Sequence, residues 1–364
     1  PLIVEFPGDS EYERLLGNSY TNLTAGLVED PNKVNEAEQW AHEAVALRGK
    51  LAEANPNALG IQVDFAKALK NQALVKSHQN DFAQARELQK RTIQQWHVAL
   101  SLAPGDRDNQ NFLVESCSEL GNFCSRSGDM AATAEARRQA IEIAQRLAND
   151  FPENTDLRNS VAREQSWLGG ALNNLAMQCY HRGEVTEAIR LLDDAIRAQE
   201  LAYRSDPRPD KCSQYLRNHY SNLASYLNSA SELAVRNPAR AADLAKKAVE
   251  LDPKYDNARL QLGIALYRMD DLDGAFGALT QLVKQRGRDE GSASFFFAMI
   301  YHRRGDSAAA AKYYDLAVKA LAALKPEPGN PNYAELYRLK AEAAELLGLK
   351  LQSQNGAPKQ PDGS

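Results

Sequence analysis

Apolar and small residues recur along this chain at the three-and-four spacing of a helix face. Between Asn173 and Ala195 the pattern is densest. Leu172, Leu175, Ala176 and Cys179 mark one face of a first helix, and Ala188, Leu192 and Ala195 mark the facing stripe of a second. Gly183 stands between them, where a residue without a Cβ can close a helix in the left-handed conformation. The small residues Ala176, Ala188 and Ala195 predict close approach of two helix axes, with Leu175 and Leu192 filling the space between.

The same arrangement returns on both sides and predicts seven helix pairs with one further helix. The pairs are Tyr20–Val28 with Glu36–Ala54, Gln62–Ser77 with Phe82–Leu102, a third around Leu120–Cys124 and Ala136–Ala140, and the Asn173 stretch extended to Tyr203. A fifth runs from Tyr215 to Leu251 with an insertion near Asn237, followed by Asn257–Arg286 and Ser292–Leu324. Prolines punctuate the joints at Pro7, Pro56, Pro104, Pro152, Pro207, Pro253 and Pro326, the first three intervals being 49, 48 and 48 residues. Proline suits a joint because it cannot continue a helix and biases its predecessor toward extended backbone. The last helix, Tyr333–Leu349, is expected to cover the apolar end of the stack, leaving Glu335, Lys340, Glu342 and Glu345 in water. These readings place long-period pairs in residues 1–206, shorter pairs and the closing helix in 207–351, and a disordered polar tail in 352–364.

Composition agrees with an all-helical reading. Of 364 residues, 43% are hydrophobic, 25% charged and 7% aromatic. The net charge of −5 is spread through the chain, and no stretch is basic enough to track a phosphate backbone, so nucleic acid is not expected as a partner. No apolar run approaches the length of a membrane span, and a cytoplasmic location is expected. The chain begins at Pro1, and PLIVEFP reads as the end of a preceding repeat, so a longer parent protein is expected. Cys117 and Cys124 lie about two turns apart on one helix, roughly 10 Å, too far for a disulfide. All four cysteines read as small core residues.

The alternation of small and large positions resembles the tetratricopeptide repeat. The segments that carry the likeness are NNLA at 173–176, GEVTEAIRLLDDAI at 183–196, RNPARAADLAKKAVELDP at 236–253 and FFFAMIYHRRGDSAAAAKYYDLAV at 295–318. Together with AEAAELLGL at 341–349 they resemble the C-terminal repeat regions of planctomycete serine/threonine protein kinases. The resemblance implies a right-handed α-solenoid of antiparallel helix pairs. It also implies a non-catalytic scaffold for a peptide or protein partner, or the substrate-recruiting or regulatory arm of a kinase whose catalytic domain lies upstream.

Catalytic motifs are missing from the sequence. There is no Walker loop, no GxSxG and no HExxH, and kinase signatures do not occur. Histidines never cluster at ligand spacing, so neither a metal nor a cofactor is expected. Asp270-Asp271-Leu272-Asp273-Gly274 lacks the terminal glutamate of a calcium loop and reads as an inter-helix turn. The candidate binding surface is a row of amides one position before the first-helix leucine: Asn22, Asn71, Asn174, Asn222 and Gln261, with Glu119 and Phe296 in the same register. An amide offers both donor and acceptor and can pair with an extended peptide backbone. Met177, Tyr180, Tyr267, Phe295 and Met299 flank the row and supply apolar anchors toward the C-terminal half. Two readings stay open: a peptide groove, or amides that satisfy neighbouring helix ends or sit in water.

Overall fold

The computed structural model describes residues 10–205, 209–230, 234–286, 291–324 and 331–349. The joints at Pro7, Pro207 and Pro326 and the tail at 352–364 lie outside them. Among the described residues there are helices and no strands. They are α1 Ser10–Leu27, α2 Val34–Ala54, α3 Leu59–His78, α4 Phe82–Leu102, α5 Arg107–Arg126, α6 Met130–Asp150, α7 Thr155–His181 and α8 Val185–Ser205, then α9 Pro209–Ser229, α10 Pro238–Leu251, α11 Asp256–Arg268, α12 Leu272–Arg286, α13 Gly291–Arg303, α14 Ser307–Ala322 and α15 Pro331–Leu346. The fold class is an all-α helical-repeat solenoid, in which odd-numbered helices open a pair and even-numbered ones close it. No described helix is long and apolar enough to cross a membrane.

One turn joins the two helices of a pair five times over. A residue with positive φ (Asn80, Gly128, Gly183, Asp270, Gly305) ends the first helix. An acid follows it, and that acid's N–H reaches back to a carbonyl five residues earlier, as in Asp81 to Lys76 (2.9 Å), Asp129 to Cys124 (3.0 Å), Glu184 to Cys179 (2.9 Å), Asp271 to Leu266 (2.9 Å) and Asp306 to Tyr301 (3.0 Å). In four of these turns the acid then caps the second helix: Asp81 accepts from the Gln84 N–H, Asp129 from Ala132, Asp271 from Gly274 and Asp306 from Ala309. The acid thus closes one helix and opens the next. At Pro56, Pro104, Pro152 and Pro253 the proline stands two residues past the end of α2, α4, α6 and α10.

The second helices carry a seven-residue stripe. In α2 it is Ala37, Ala41, Ala44, Arg48 and Leu51; in α4, Ala85, Gln89, Thr92, Trp96 and Ala99; in α6, Thr133, Arg137, Ala140, Ala144 and Leu147; in α8, Ala188, Leu192, Ala195, Gln199 and Ala202. Every one of these side chains is buried. Steps of four and three keep one narrow seam toward the partner helix. The shorter second helices keep a shorter stripe: Ala241, Ala245 and Ala248 in α10, and Ala275, Leu279 and Leu282 in α12.

The chain divides into two compact units, Pro1–Leu175 with Arg197–Pro209, and Ala176–Ile196 with Asp210–Ser364. In the first, each helix from α1 to α6 packs on the next. Its core includes Ala66, Trp96, Ala99, Leu113, Cys117 and Ala140, and burial pushes the Cys117 thiol up to about 12, an inert core residue. In the second, the core is aromatic, with Phe295, Phe296, Phe297, Met299, Leu279 and Leu282 together. Gly263 of α11 leaves room for this core: a Cβ there would lie 2.7 Å from Leu279.

Two outcomes test this packing. Ala188 is fully buried, so Ala188→Phe should destabilise the protein by about 1–3 kcal/mol through overpacking; unchanged urea unfolding would contradict the stripe. His219 on α9 is 2% exposed with neither ring nitrogen partnered among the described residues, and burial pushes its pKa down to about 4. Between its ordinary value of about 6.5 and that value the unfolded chain takes a proton the folded one refuses. Stability from this group is therefore complete above about pH 6.5 and lost toward pH 4, by about 3 kcal/mol. Urea unfolding of wild type and His219→Phe across this range should show that difference; parallel curves would refute it.

Candidate functional site

In the first unit a guanidinium interrupts the alanine stripe of α6. Arg137 and Glu164 expose 2% and 1% of their side chains and pair at 2.8 Å. Arg137 also donates to Ser118 Oγ at 2.8 Å and to Asn122 Oδ1 at 2.6 Å, while the Ser118 hydroxyl donates to Glu164 at 2.8 Å. Burial lowers the Arg137 pKa, and Glu164 opposes that shift. Gly121 makes the passage possible, since a Cβ there would lie 2.8 Å from the Arg137 Nε. The arrangement has a counterpart nearer the N-terminus. Arg48 of α2 passes Gly17, donates to Asn18 at 2.7 Å and lies 3.3 Å from Asp64. Both sites join a Gly-Asn step on a first helix, an arginine on the second helix, and an acid on the next first helix.

Trp167 lies over the Arg137 guanidinium, 4.1 Å from ring centre to Cζ, with 45% of its surface exposed. It is one helical turn beyond Arg163, which donates to Ser160 at 3.2 Å. Arg163 and Ser160 line an open cleft of about 560 Å³ between α5 and α7, whose wall also includes Lys70, Asn111, Glu119 and Asp156. Lys70 is paired there with Glu115 at 3.0 Å. The cleft therefore offers donors and acceptors of both charges, on the face built by first helices, with Trp167 one helical turn beyond its Arg163 wall. Sequence reading missed Trp167, Arg137, Glu164 and the cleft. The available signal was an arginine at a stripe position where the other repeats carry alanine, leucine or glutamine.

The amide row is divided by the structure. Asn22 and Asn174 are exposed, and Asn174 donates to the Met130 sulfur at 3.9 Å. Asn71 is half-buried and donates to the Thr21 carbonyl at 3.4 Å, and Glu119 accepts from Asn122 at 3.1 Å. Met177 is 38% exposed. In the second unit Asn222 is half-buried. Gln261 is buried and receives Asn228 Nδ2 on its side chain (3.1 Å) and its backbone carbonyl (3.0 Å), so this amide serves the core rather than a ligand. Tyr180 stacks on Tyr226 at 3.9 Å with the rings parallel, and burial raises its phenol pKa.

The anchors Tyr267, Phe295 and Met299 need correction, as does Phe296. Phe295, Phe296 and Met299 are fully buried and Tyr267 is 8% exposed. They belong to one core that takes in Ala317 and Leu321 of α14, with the Phe295 ring centre 5.9 Å from that of Tyr314, and Leu339 and Ala343 of α15, which packs on α13. Of the polar residues expected in water on α15, Glu345 is exposed, and Glu335, Lys340 and Glu342 are half-buried. Glu342 bonds Arg268 through two contacts of 3.2 Å, and Glu335 bonds Ser229. Among the described residues no three metal-ligating side chains form a cluster.

Fold and site define an array of helix pairs presenting side chains on its first-helix faces. Residues 232–295 match the family model described as tetratricopeptide repeat. No curated protein matches the chain. Among solved structures the chain is similar to YrrB, described as a TPR protein with an unusual peptide-binding site (15% identity, 68% of this chain and 97% of that one, TM-score 0.39). It is also similar to pilF of Pseudomonas aeruginosa (17%, 76% and 97%, TM-score 0.35). A third similarity is to BtubC from P. vanneervenii (18%, 81% and 94%, TM-score 0.31).

The buried pair makes its own prediction. Arg137→Met alone leaves the Glu164 carboxylate buried without its partner and should cost about 3–5 kcal/mol, whereas Arg137→Met with Glu164→Leu should recover most of that loss. Urea unfolding of the two singles and the double reads the coupling; additive effects would show that the pair does not act as one element.

Proposed function

We propose that this chain is a non-catalytic interaction module that binds a peptide or protein segment along the first-helix face of its N-terminal unit. The observation that carries this reading is Trp167. A large aromatic remains 45% exposed beside a polar cleft, yet its ring is fixed over a guanidinium that is itself held by three hydrogen-bond partners. An immobile, half-exposed aromatic loses little entropy on binding and is the usual anchor of a peptide interface. The cleft at its side, with Arg163, Ser160 and Asn111, suits the carbonyls and acidic groups of an extended chain, while Glu119 and Asp156 suit its N–H groups. Asn174, exposed on the same helix, extends the row of amides.

A regulatory or substrate-recruiting role within a serine/threonine kinase rests on sequence resemblance alone. The reading frame upstream of Pro1 decides it: kinase motifs there would support that role and their absence would remove it. The same frame bears on the cytoplasmic location proposed for the module.

Peptides selected from a displayed random library against the intact chain test the binding face. Trp167→Ala should weaken the selected peptides by about 2 kcal/mol or more, with unfolding midpoint preserved, and Asn174→Ala should weaken them less. Equal binding by wild type and folded Trp167→Ala would move the interaction elsewhere.

A further inference from the structure

In the C-terminal unit the first-helix face already has an occupant. α15 packs chiefly on the first helix α13 and only slightly on the second helix α14; α13 likewise packs only slightly on α12, whereas α3, α5 and α11 each pack closely on the second helix before them. α15 is thus laid mainly across first helices. Its polar contacts go to helices far back in the chain: Glu335 to Ser229, Arg338 to the Ser229 carbonyl at 3.4 Å and to the Tyr180 hydroxyl, and Glu342 to Arg268. Between these contacts Leu339 and Ala343 enter the core and Leu336 packs against it. The seat therefore reads a pattern: carboxylates seven residues apart, leucines one and four residues after the first, alanine one after the second.

We propose that this face is a helix-binding surface and that α15 is its internal stand-in, displaced by an amphipathic partner helix with that spacing of acids and leucines. Three features on the structure argue for exchange over a permanent lid. The helix ends are held by hydrogen bonds and an ion pair that a partner can reproduce one for one. Arg268, 13% exposed in its side chain, needs a carboxylate whichever helix supplies it. The apolar floor of Phe295, Phe296 and Met299 shares one core with Leu339 and Ala343 and is costly to expose, so the state with α15 released is a minor one that a partner covering the floor would stabilise. The apparent affinity for the partner is reduced by the fraction of molecules with the face free, so weakening α15 strengthens partner binding. This inference does not depend on the Trp167 site.

The test uses the full chain and a fluorescein-labelled peptide of residues 331–349. Glu335→Ala/Glu342→Ala should speed hydrogen exchange across 331–346 while α11–α14 keep their protection, and should raise peptide affinity by about tenfold or more over wild type. Leu339→Asp, which attacks the apolar contact instead, should do the same. A peptide with lysine at both acid positions should not bind. Loss of protection across α11–α14 together with α15, in both variants, would make α15 a fixed part of the core and overturn the proposal. Release of α15 without peptide binding would also overturn it. So would a concentration-dependent dimer in sedimentation that excludes the peptide, because the occupant would then be a second copy of this chain.

Discussion

The structure depends on how closely two helices can approach. On the second helices alanine is the commonest residue at the seam positions, at steps of four and three, and the residues at those positions are buried without exception in α2, α4, α6 and α8. A seam of alanines sets short interaxial distances, which lie at about 8 Å in the close-packed limit. At such spacing a wrong register places a large side chain where there is no volume for it. The turn supplies the complementary control. Its left-handed residue and following acid fix where the first helix stops and the second starts, so each pair enters the stack in one phase.

The stripe also explains why its exceptions matter. A long polar side chain in the seam reaches to the neighbouring helices, as Gln89 does to the Ser116 carbonyl, and the two arginines do so past a glycine. Arg48 passes Gly17 and Arg137 passes Gly121. A charge in that position is costly unless every neighbour is arranged to receive it. The serine, asparagine and glutamate around Arg137 do so, each from a different helical turn. That network ties α5, α6 and α7 together and in the same act fixes the floor beneath Trp167. The seating of Trp167 and the packing of three helices come from one set of contacts.

Much of the repeat architecture was legible locally, because period, turn and proline all repeat. The span Phe82–Leu102 emerges with the same limits in the structure. The first halves of α1 and α5 did not, since SEYERLLGNS and RDNQNFLVES show little apolar periodicity. In α1 long-range polar contacts appear there instead: Arg14 with Asp64, and Asn18 with Arg48. The same limitation governs the site. Exposed amides can be placed on a face by counting, but whether that face is open depends on which distant segment returns to it. Tyr267, Phe295 and Met299 lie on first helices, as the spacing predicts, but they are core residues that share one cluster with α14 and with α15 from beyond residue 330.

The two units then follow different solutions to one problem. A first-helix face offered for binding must be sticky enough to hold a ligand and soluble while it waits. In the N-terminal unit the cleft on this face is lined mostly by polar residues, with ion pairs such as Lys70 with Glu115, and Trp167 is exposed at the surface. Such a face can stay in water. In the C-terminal unit the first helices are only thirteen residues long in α11 and α13, and α13 is apolar on nearly every side. A helix of that length and composition cannot keep a solvated stripe, because its turns are too few to separate a wet side from a dry one. Something has to lie on it, and the chain's own last helix does, with acids spaced to meet Arg268 and Ser229. The cover is a consequence of the short repeat, and the acids on that cover fix where it lies through Arg268 and Ser229.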